Sequence, residues 1–405
     1  MMKASKSELQ KKYKAFQKLR LNLDLTRGKP SEEQLDLSNS MLTNLSIARS
    51  YKSNGIDIRN YGEIDGLPDA KKLGAAFLGI KQSNVIVNGT SSLNLISAMM
   101  QTLFFRGNRD LPWKERKKIS IICPVPGFDR HFSLCEEMGI NMINVPLTGN
   151  GPDMDKVEAI VKKDKSVRGI ICVPKNSNPT GETYSTDVIK RLAKLPKLGN
   201  KDFMIFYDNA YAVHDFSKSK KLANIYKFCE KFKTTNNISL FSSTSKVTFA
   251  GSGIAFMGGS EKTLKNFLSF FSKTIVGSDK VNQARHINFL KDTNALKKHM
   301  EKLGTLIKPK FDIVESYLAK LPEGIADWSR PTGGYFVSFN AKPGKASKIY
   351  KLCFEAGLKL TPVGATFPYG IDPDNQNLRL SPTQVKNSDL KKSMEIFTLA
   401  VLLSE

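Results

Sequence analysis

Five stretches of the chain carry side chains that could do chemistry together. They are Asn88-Gly89-Thr90-Ser91-Ser92, Pro126-Gly127-Phe128 with His131, Asn178-Pro179-Thr180-Gly181, Asp208-Asn209-Ala210-Tyr211 and Ser243-Thr244-Ser245-Lys246. Hydroxyls and free backbone N–H groups at a helix start suit a phosphate. A flat aromatic such as Phe128 stacks on a ring, a carboxylate such as Asp208 pairs with a ring N–H⁺, and Lys246 can form a Schiff base. The combined inventory suits a phosphorylated, planar, cationic heterocycle. Taken singly, each stretch has an ordinary structural explanation: a strand-end surface lysine, an Asx turn, an Asn-Pro-Thr-Gly turn, a core phenylalanine, an N-cap. Order and spacing argue for one site.

Such a site needs a sheet to hold it. Between about residues 85 and 260 the apolar runs SNVIVNG, KKISIICPVPG, RGIICVPK, DFMIFYDNA, NISLFSSTSK and GIAFMGG recur. Continuous rather than alternating hydrophobicity predicts strands buried on both faces, as in a mostly parallel sheet. With 90–103 and 186–195 as crossover helices, the segment reads as an α/β domain. Ligands bind such sheets at the carboxyl ends of the strands, where the five stretches fall.

Beyond the sheet, Leu296, Met300, Leu303, Ile307, Phe311, Val314 and Leu318 recur every three or four positions. They predict a long amphipathic helix over 287–321, with a break near Pro309. It leads into a smaller α+β unit holding GGYFVSF, NLRLSP and a final helix from Leu390. The first fifty residues are too few for a domain and are expected to add a helix and an extended arm. The expected plan is therefore 1–50 as N-terminal arm and part of a small domain, 51–305 as the large domain, and 306–405 as the C-terminal small domain.

Composition narrows the function classes. At 40% hydrophobic and 25% charged residues the chain is long and apolar enough for a large core. No apolar run reaches the ~18 residues of a membrane span, and the basic N-terminus lacks a secretory pattern, so a cytoplasmic protein is expected. Five scattered cysteines without a C-x-x-C spacing read as buried thiols, and four unpaired histidines disfavour a metal site. The net charge of +24, with patches KERKK and KSKK, raises the question of a polyanion partner. Only 13 of the 62 basic residues are arginine, however, and no aromatic–basic interleaving accompanies them. Solvated surface is the reading, and no nucleic-acid partner is expected. Gly251-Ser252-Gly253 lacks the third glycine of a dinucleotide fingerprint, and no phosphate-binding G-x-x-x-x-G-K-[ST] loop occurs.

The motifs LDLTRGKPSEEQLDLS, CPVPGFDRHF, VPKNSNPTG, DNAYAVHDF, STSKVTFAGSG and VGATFPYGIDP together resemble the class I aminotransferases of fold type I, which depend on pyridoxal 5'-phosphate. Among these the chain is similar to a bacterial aspartate aminotransferase subgroup, from about Leu23 to the C-terminus. The resemblance implies that Lys246 carries the cofactor as a Schiff base and that Asp208, supported by His131, keeps its ring nitrogen protonated. Phe128 would stack on the ring, while Asn178 and Tyr211 would bond its phenolic oxygen. Gly89, Thr90, Ser91, Ser243 and Ser245 would build the phosphate cup, completed by Tyr61 of a neighbouring subunit in a homodimer with shared sites. Arg379 would grip the substrate α-carboxylate, with Gly28 and Asn178 also at the substrate.

One departure is that Ile254 stands where many class I enzymes place a phosphate-binding arginine. The implied reaction moves an amino group between an amino acid, aspartate foremost, and a 2-oxo acid such as 2-oxoglutarate. A β-lyase of the same fold uses nearly the same chemistry. A cofactor-binding transcription regulator is disfavoured because only about twenty residues precede LDLTRGKPS. Arg27, Lys29 and Lys273 are the candidates for reading a distal carboxylate.

Overall fold

The computed structural model describes residues 5–45, 51–108 and 110–405; the boundary expected at residue 50 lies outside them. Each of the six apolar runs forms a strand of one seven-stranded sheet. Its strands are β1 (Val85–Val87), β2 (Ser120–Val125), β3 (Asn141–Pro146), β4 (Val167–Cys172), β5 (Met204–Asp208), β6 (Ile238–Ser243) and β7 (Ala255–Gly258). The spatial order is β1-β7-β6-β5-β4-β2-β3, and only β7 runs antiparallel to its neighbours. Every residue of β2, β4, β5 and β6 is buried, which is why their sequences show no alternation.

The seventh strand, β3, escapes a search for apolar runs because it is an edge. Asn141, Asn144 and Pro146 interrupt it, and only Met142 and Val145 are buried.

Helices cover both faces. One apolar cluster joins Leu73 and Phe77 to Ile170, Ile205 and Leu192. Another packs Leu95, Met99 and Leu103 against Ile121, Phe206 and Phe241. A third core gathers Tyr13, Leu23 and Leu25 with Ile307, Phe339, Met394 and Phe397, so both ends of the chain share it. Within it, Ala326–Trp328 (β8), Val337–Ala341 (β9) and Asn377–Leu380 (β10) make an antiparallel sheet. Leu23–Asp24 pairs parallel with Leu358–Lys359, and the Tyr13 hydroxyl donates to the Leu352 carbonyl at 2.9 Å.

The long helical segment breaks elsewhere than at Pro309. Helices Lys280–Leu290 and Thr293–Leu318 meet at Lys291, where φ is +47°, and Asp292 caps the second by accepting from the N–H groups of Asn294 and Ala295. Pro309 lies inside Thr293–Leu318, where apolar packing on both sides of it outweighs one lost backbone bond.

Among the described residues no helix is long and apolar enough to cross a membrane.

Candidate active site

Strands β1, β2, β4, β5 and β6 all end at one edge of the sheet, and the five sequence stretches follow them there. The cavity at that edge measures about 570 Å³ and is lined from both cores. Phe128, Asn178, Tyr211 and Lys246 come from the sheet side; Arg27, Gly28, Phe336, Thr361 and Arg379 face them.

Asp208 is the buried last residue of β5. Its Oδ2 lies 3.1 Å from His131 Nε2, and its Oδ1 is buried with no partner among the described residues. A buried carboxylate oxygen without a donor carries a desolvation cost that an incoming N–H⁺ removes. His131 is fixed by the edge-on ring of Phe128, 4.9 Å away.

Lys246 follows β6 and places its Nζ 5.1 Å from the centre of the Tyr211 ring. Burial lowers its pKa, with the Asp208 charge opposing, so its amine is more readily neutral than that of a free lysine. Burial also raises the Tyr211 phenol, with Arg379 opposing, which keeps it a proton-bearing donor. His214, buried between Tyr211 and Tyr335, is held neutral: burial first, then the Lys246 charge, lower it to about 4.

Beside the start of helix Ser92–Arg106, four donors converge on one oxygen. The N–H and hydroxyl of Thr90 and of Ser91 all lie 3.1–3.3 Å from Asn94 Oδ1. Such a nest of donors at a helix N-terminus is chemistry for an anionic oxygen. Gly89 begins the turn, and Ser245 closes it, donating to the Thr90 carbonyl at 2.8 Å and lying 3.0 Å from the Ser243 hydroxyl. Gly253 permits this closure, since a Cβ there would sit 2.7 Å from the Thr90 carbonyl oxygen and 2.9 Å from the Ser245 nitrogen. Ile254 is buried, its N–H bonded to Thr244 Oγ1 at 2.9 Å, so that position supplies structure rather than charge.

Arg379, in the middle of β10, enters from the other core. Its Nη1 donates to Asp129 Oδ1 at 3.2 Å and Asn178 Oδ1 at 3.3 Å. Nη2 donates to the Thr26 carbonyl at 3.3 Å and Thr361 Oγ1 at 3.2 Å. The Phe336 ring backs the guanidinium at 4.8 Å, and Gly28 leaves room for that ring: a Cβ at 28 would lie 2.5 Å from it.

Thus the geometry gathers Gly89, Thr90, Ser91, Ser243 and Ser245 in one corner, and Phe128, His131 and Asp208 in another. Asn178 meets Arg379, and Tyr211 meets Lys246. Two expected residues stand apart. Tyr61 is 82% exposed and does not line the cavity, and neither does Lys273, whereas Arg27, Lys29 and also Arg130 do. Sequence reasoning passed over Asp129, Asn94, Thr26 and Thr361. Asp129 adjoins Phe128, but an acid in a helix's first turn ordinarily reads as a partner of the helix dipole.

The buried titratable groups give the fold a pH dependence. Burial lowers His214 and His286 from 6.5 to about 4, so the unfolded chain binds more protons than the native one across that window. Each should remove on the order of 3 kcal/mol of stability as pH falls from about 6.5 to about 4. Glu182, raised to about 7 by burial, has the opposite sign: the native state holds its proton first, returning about 3 kcal/mol as pH falls from about 7 to 4.5. Urea unfolding should therefore show a net loss toward pH 4.5, and Glu182→Gln should steepen it. A pH-independent midpoint would contradict this balance.

The family model described as aspartate amino-transferase matches residues 2–405. A curated aspartate aminotransferase of Corynebacterium glutamicum is 38% identical over 404 residues, covering 98% of this chain and 93% of that protein. The crystal structure of an aspartate transaminase from the same species superposes with a TM-score of 0.93 at 38% identity, covering 98% of this chain and 95% of that one. LysN, the α-aminoadipate aminotransferase of Thermus thermophilus complexed with N-(5'-phosphopyridoxyl)-L-leucine, shares the fold at 18% identity and a TM-score of 0.79, over 99% and 95% of the two chains.

Proposed function

Because the chain belongs to the aspartate amino-transferase family and is an aminotransferase of fold type I, we propose that it uses pyridoxal 5'-phosphate to move the amino group of aspartate onto 2-oxoglutarate. The observation that carries the cofactor reading is the unsatisfied Asp208 Oδ1, aligned at one sheet edge with Lys246 and the Thr90–Ser91 donor nest. Lys246 is proposed to hold the aldehyde carbon covalently, Asp208 the ring nitrogen, Phe128 the ring face, and Asn178 with Tyr211 the phenolic oxygen. Gly89, Thr90, Ser91, Ser243 and Ser245 are proposed to take the phosphate. When bound, the cofactor supplies a protonated ring that withdraws electrons from the substrate Cα.

The chain's own groups do the rest. Arg379 takes the α-carboxylate and so fixes where the Cα–H bond points. The Lys246 amine, biased toward its neutral form by burial, accepts the Cα proton and returns it elsewhere as general base and acid. Asp208 would pair its carboxylate with the ring nitrogen, and His131 holds Asp208 in place. Tyr211 keeps its phenolic proton for hydrogen bonding.

Arg27, Lys29 and Arg130 at the cavity wall support a dicarboxylic substrate. The test is a half-reaction screen in which each amino acid is mixed with holoenzyme and the cofactor absorbance followed. Aspartate and glutamate should discharge it fastest; a response confined to neutral amino acids would overturn the dicarboxylic reading.

Arg379→Lys keeps charge but loses the planar fork, so kcat/KM should fall at least ~10-fold for all substrates alike, with the cofactor spectrum unchanged. Selective loss with dicarboxylic substrates would contradict the assignment.

A homodimer with shared sites fits Tyr61, which points outward while its backbone is anchored: buried Lys280 donates to the Tyr61 carbonyl at 2.8 Å. Tyr61→Phe should weaken cofactor retention, measured by dialysis and absorbance, at unchanged folding. A competent monomer would contradict it. The amino and 2-oxo acid substrates, with five free buried cysteines, fit a cytoplasmic enzyme.

A further inference from the structure

We propose that Asp129 occupies on Arg379 the place of the substrate α-carboxylate, so that substrate binds by exchanging one carboxylate for another. This rests on the reading of Arg379 as the α-carboxylate anchor. A guanidinium has five N–H bonds. All four on Nη1 and Nη2 of Arg379 are directed at acceptors within 3.3 Å, namely Asp129, Asn178, the Thr26 carbonyl and Thr361. The fifth, on Nε, is buried with no partner among the described residues. No two-pronged face of the guanidinium is therefore open to a ligand until one acceptor leaves.

Asp129 is the acceptor suited to leave. Asn178 and Thr361 are buried and neutral, and the Thr26 oxygen belongs to the backbone. Asp129 is the one carboxylate of the four, and its side chain is 31% exposed against 5% for Arg379. A substrate carboxylate matches it in charge and acceptor geometry, so the exchange leaves no buried charge uncompensated. Both carboxylates at Nη1 together would place like charges in contact, which forces the choice.

The released side chain has somewhere to go. Asp129 opens helix Asp129–Glu137, where the helix dipole favours a negative charge, and solvent reaches it there. Arg130 follows it directly on the same cavity wall.

The consequence is a conformational tax on affinity. If the Asp129–Arg379 pair is closed in about nine molecules of ten, apparent affinity for carboxylates is about 10-fold below the intrinsic value. The test is calorimetric titration of the holoenzyme with maleate, a non-reacting dicarboxylate, on five proteins: the natural chain, Asp129→Asn, Asp129→Ser, Arg379→Gln and the Asp129→Asn/Arg379→Gln double variant. Asp129→Asn keeps shape and should tighten maleate binding about 10-fold; Asp129→Ser should do the same. In the Arg379→Gln background the same change should have no effect, because the exchange no longer exists.

Binding that weakens in Asp129→Asn would overturn the proposal and make Asp129 a positioning residue for Arg379. Tightening that persists in the double variant would overturn it as a general charge effect. If Arg379→Gln alone leaves maleate affinity unchanged, the anchor reading itself fails.

Discussion

Lys246→Ala should lower kcat for amino-group transfer at least ~10⁴-fold while leaving the fold intact. Proton transfer by a positioned base contributes about 10²–10⁴ on its own, and the same amine is the proposed covalent tether. Among the described residues the side chain makes no ion pair that holds the two cores together. Its Nζ contact is the Tyr211 ring, and the bond that ties this residue to the other core, Tyr335 Oη to the Lys246 carbonyl at 3.3 Å, uses backbone. Thermal unfolding of the variant should therefore match the parent. Retention of more than about 1% of the activity would remove Lys246 from the centre of the chemistry.

Asp208→Asn should show activity and stability moving in opposite directions. The amide keeps the shape of the side chain and loses the charge proposed to fix a proton on the ring nitrogen. A fall of about 10²–10³ in kcat is expected, the size typical of removing one aligned electrostatic partner. The cofactor-free protein should nevertheless be as stable as the parent or more so, because Asp208 Oδ1 is a buried acceptor without a donor. Strained or unsatisfied groups of this kind are where function costs stability. Stopped-flow rates and urea midpoints on the two proteins check both halves. A variant that is less stable yet nearly fully active would mean Asp208 is an architectural residue bonded to His131.

The sheet was legible because burial on both faces writes itself into composition. Every residue of β5, MIFYD, is buried, and the run ends on the one carboxylate of the strand. The edge strand β3 was not, since a half-accessible strand containing two asparagines and a proline has no such signature. The helix break was misread for a related reason. Pro309 is a local signal, whereas Lys291 ends one helix at positive φ and the Asp292 carboxylate caps the next by accepting backbone N–H bonds, a geometry that composition does not display.

Site residues were legible when they closed a strand, as Asp208 does, or came in the turn just after one, as Phe128, Asn178 and Lys246 do. The residues that tune Arg379 were hidden because they are assembled across long separations. Thr26, Asp129, Asn178 and Thr361 lie in four distant segments and converge only through the packing of one core on the other. Lys273, the third cation considered for a distal carboxylate, does not line this cavity within the chain.

The amino group of the donor is proposed to pass intact to a 2-oxo acid. The direct measurement supplies ¹⁵N-aspartate and unlabelled 2-oxoglutarate to the reconstituted protein and follows the label by NMR. The expected result is ¹⁵N-glutamate formed one-for-one with oxaloacetate, with no label in ammonium. Label released as ammonium, with glutamate unlabelled, would contradict it and make the enzyme a lyase.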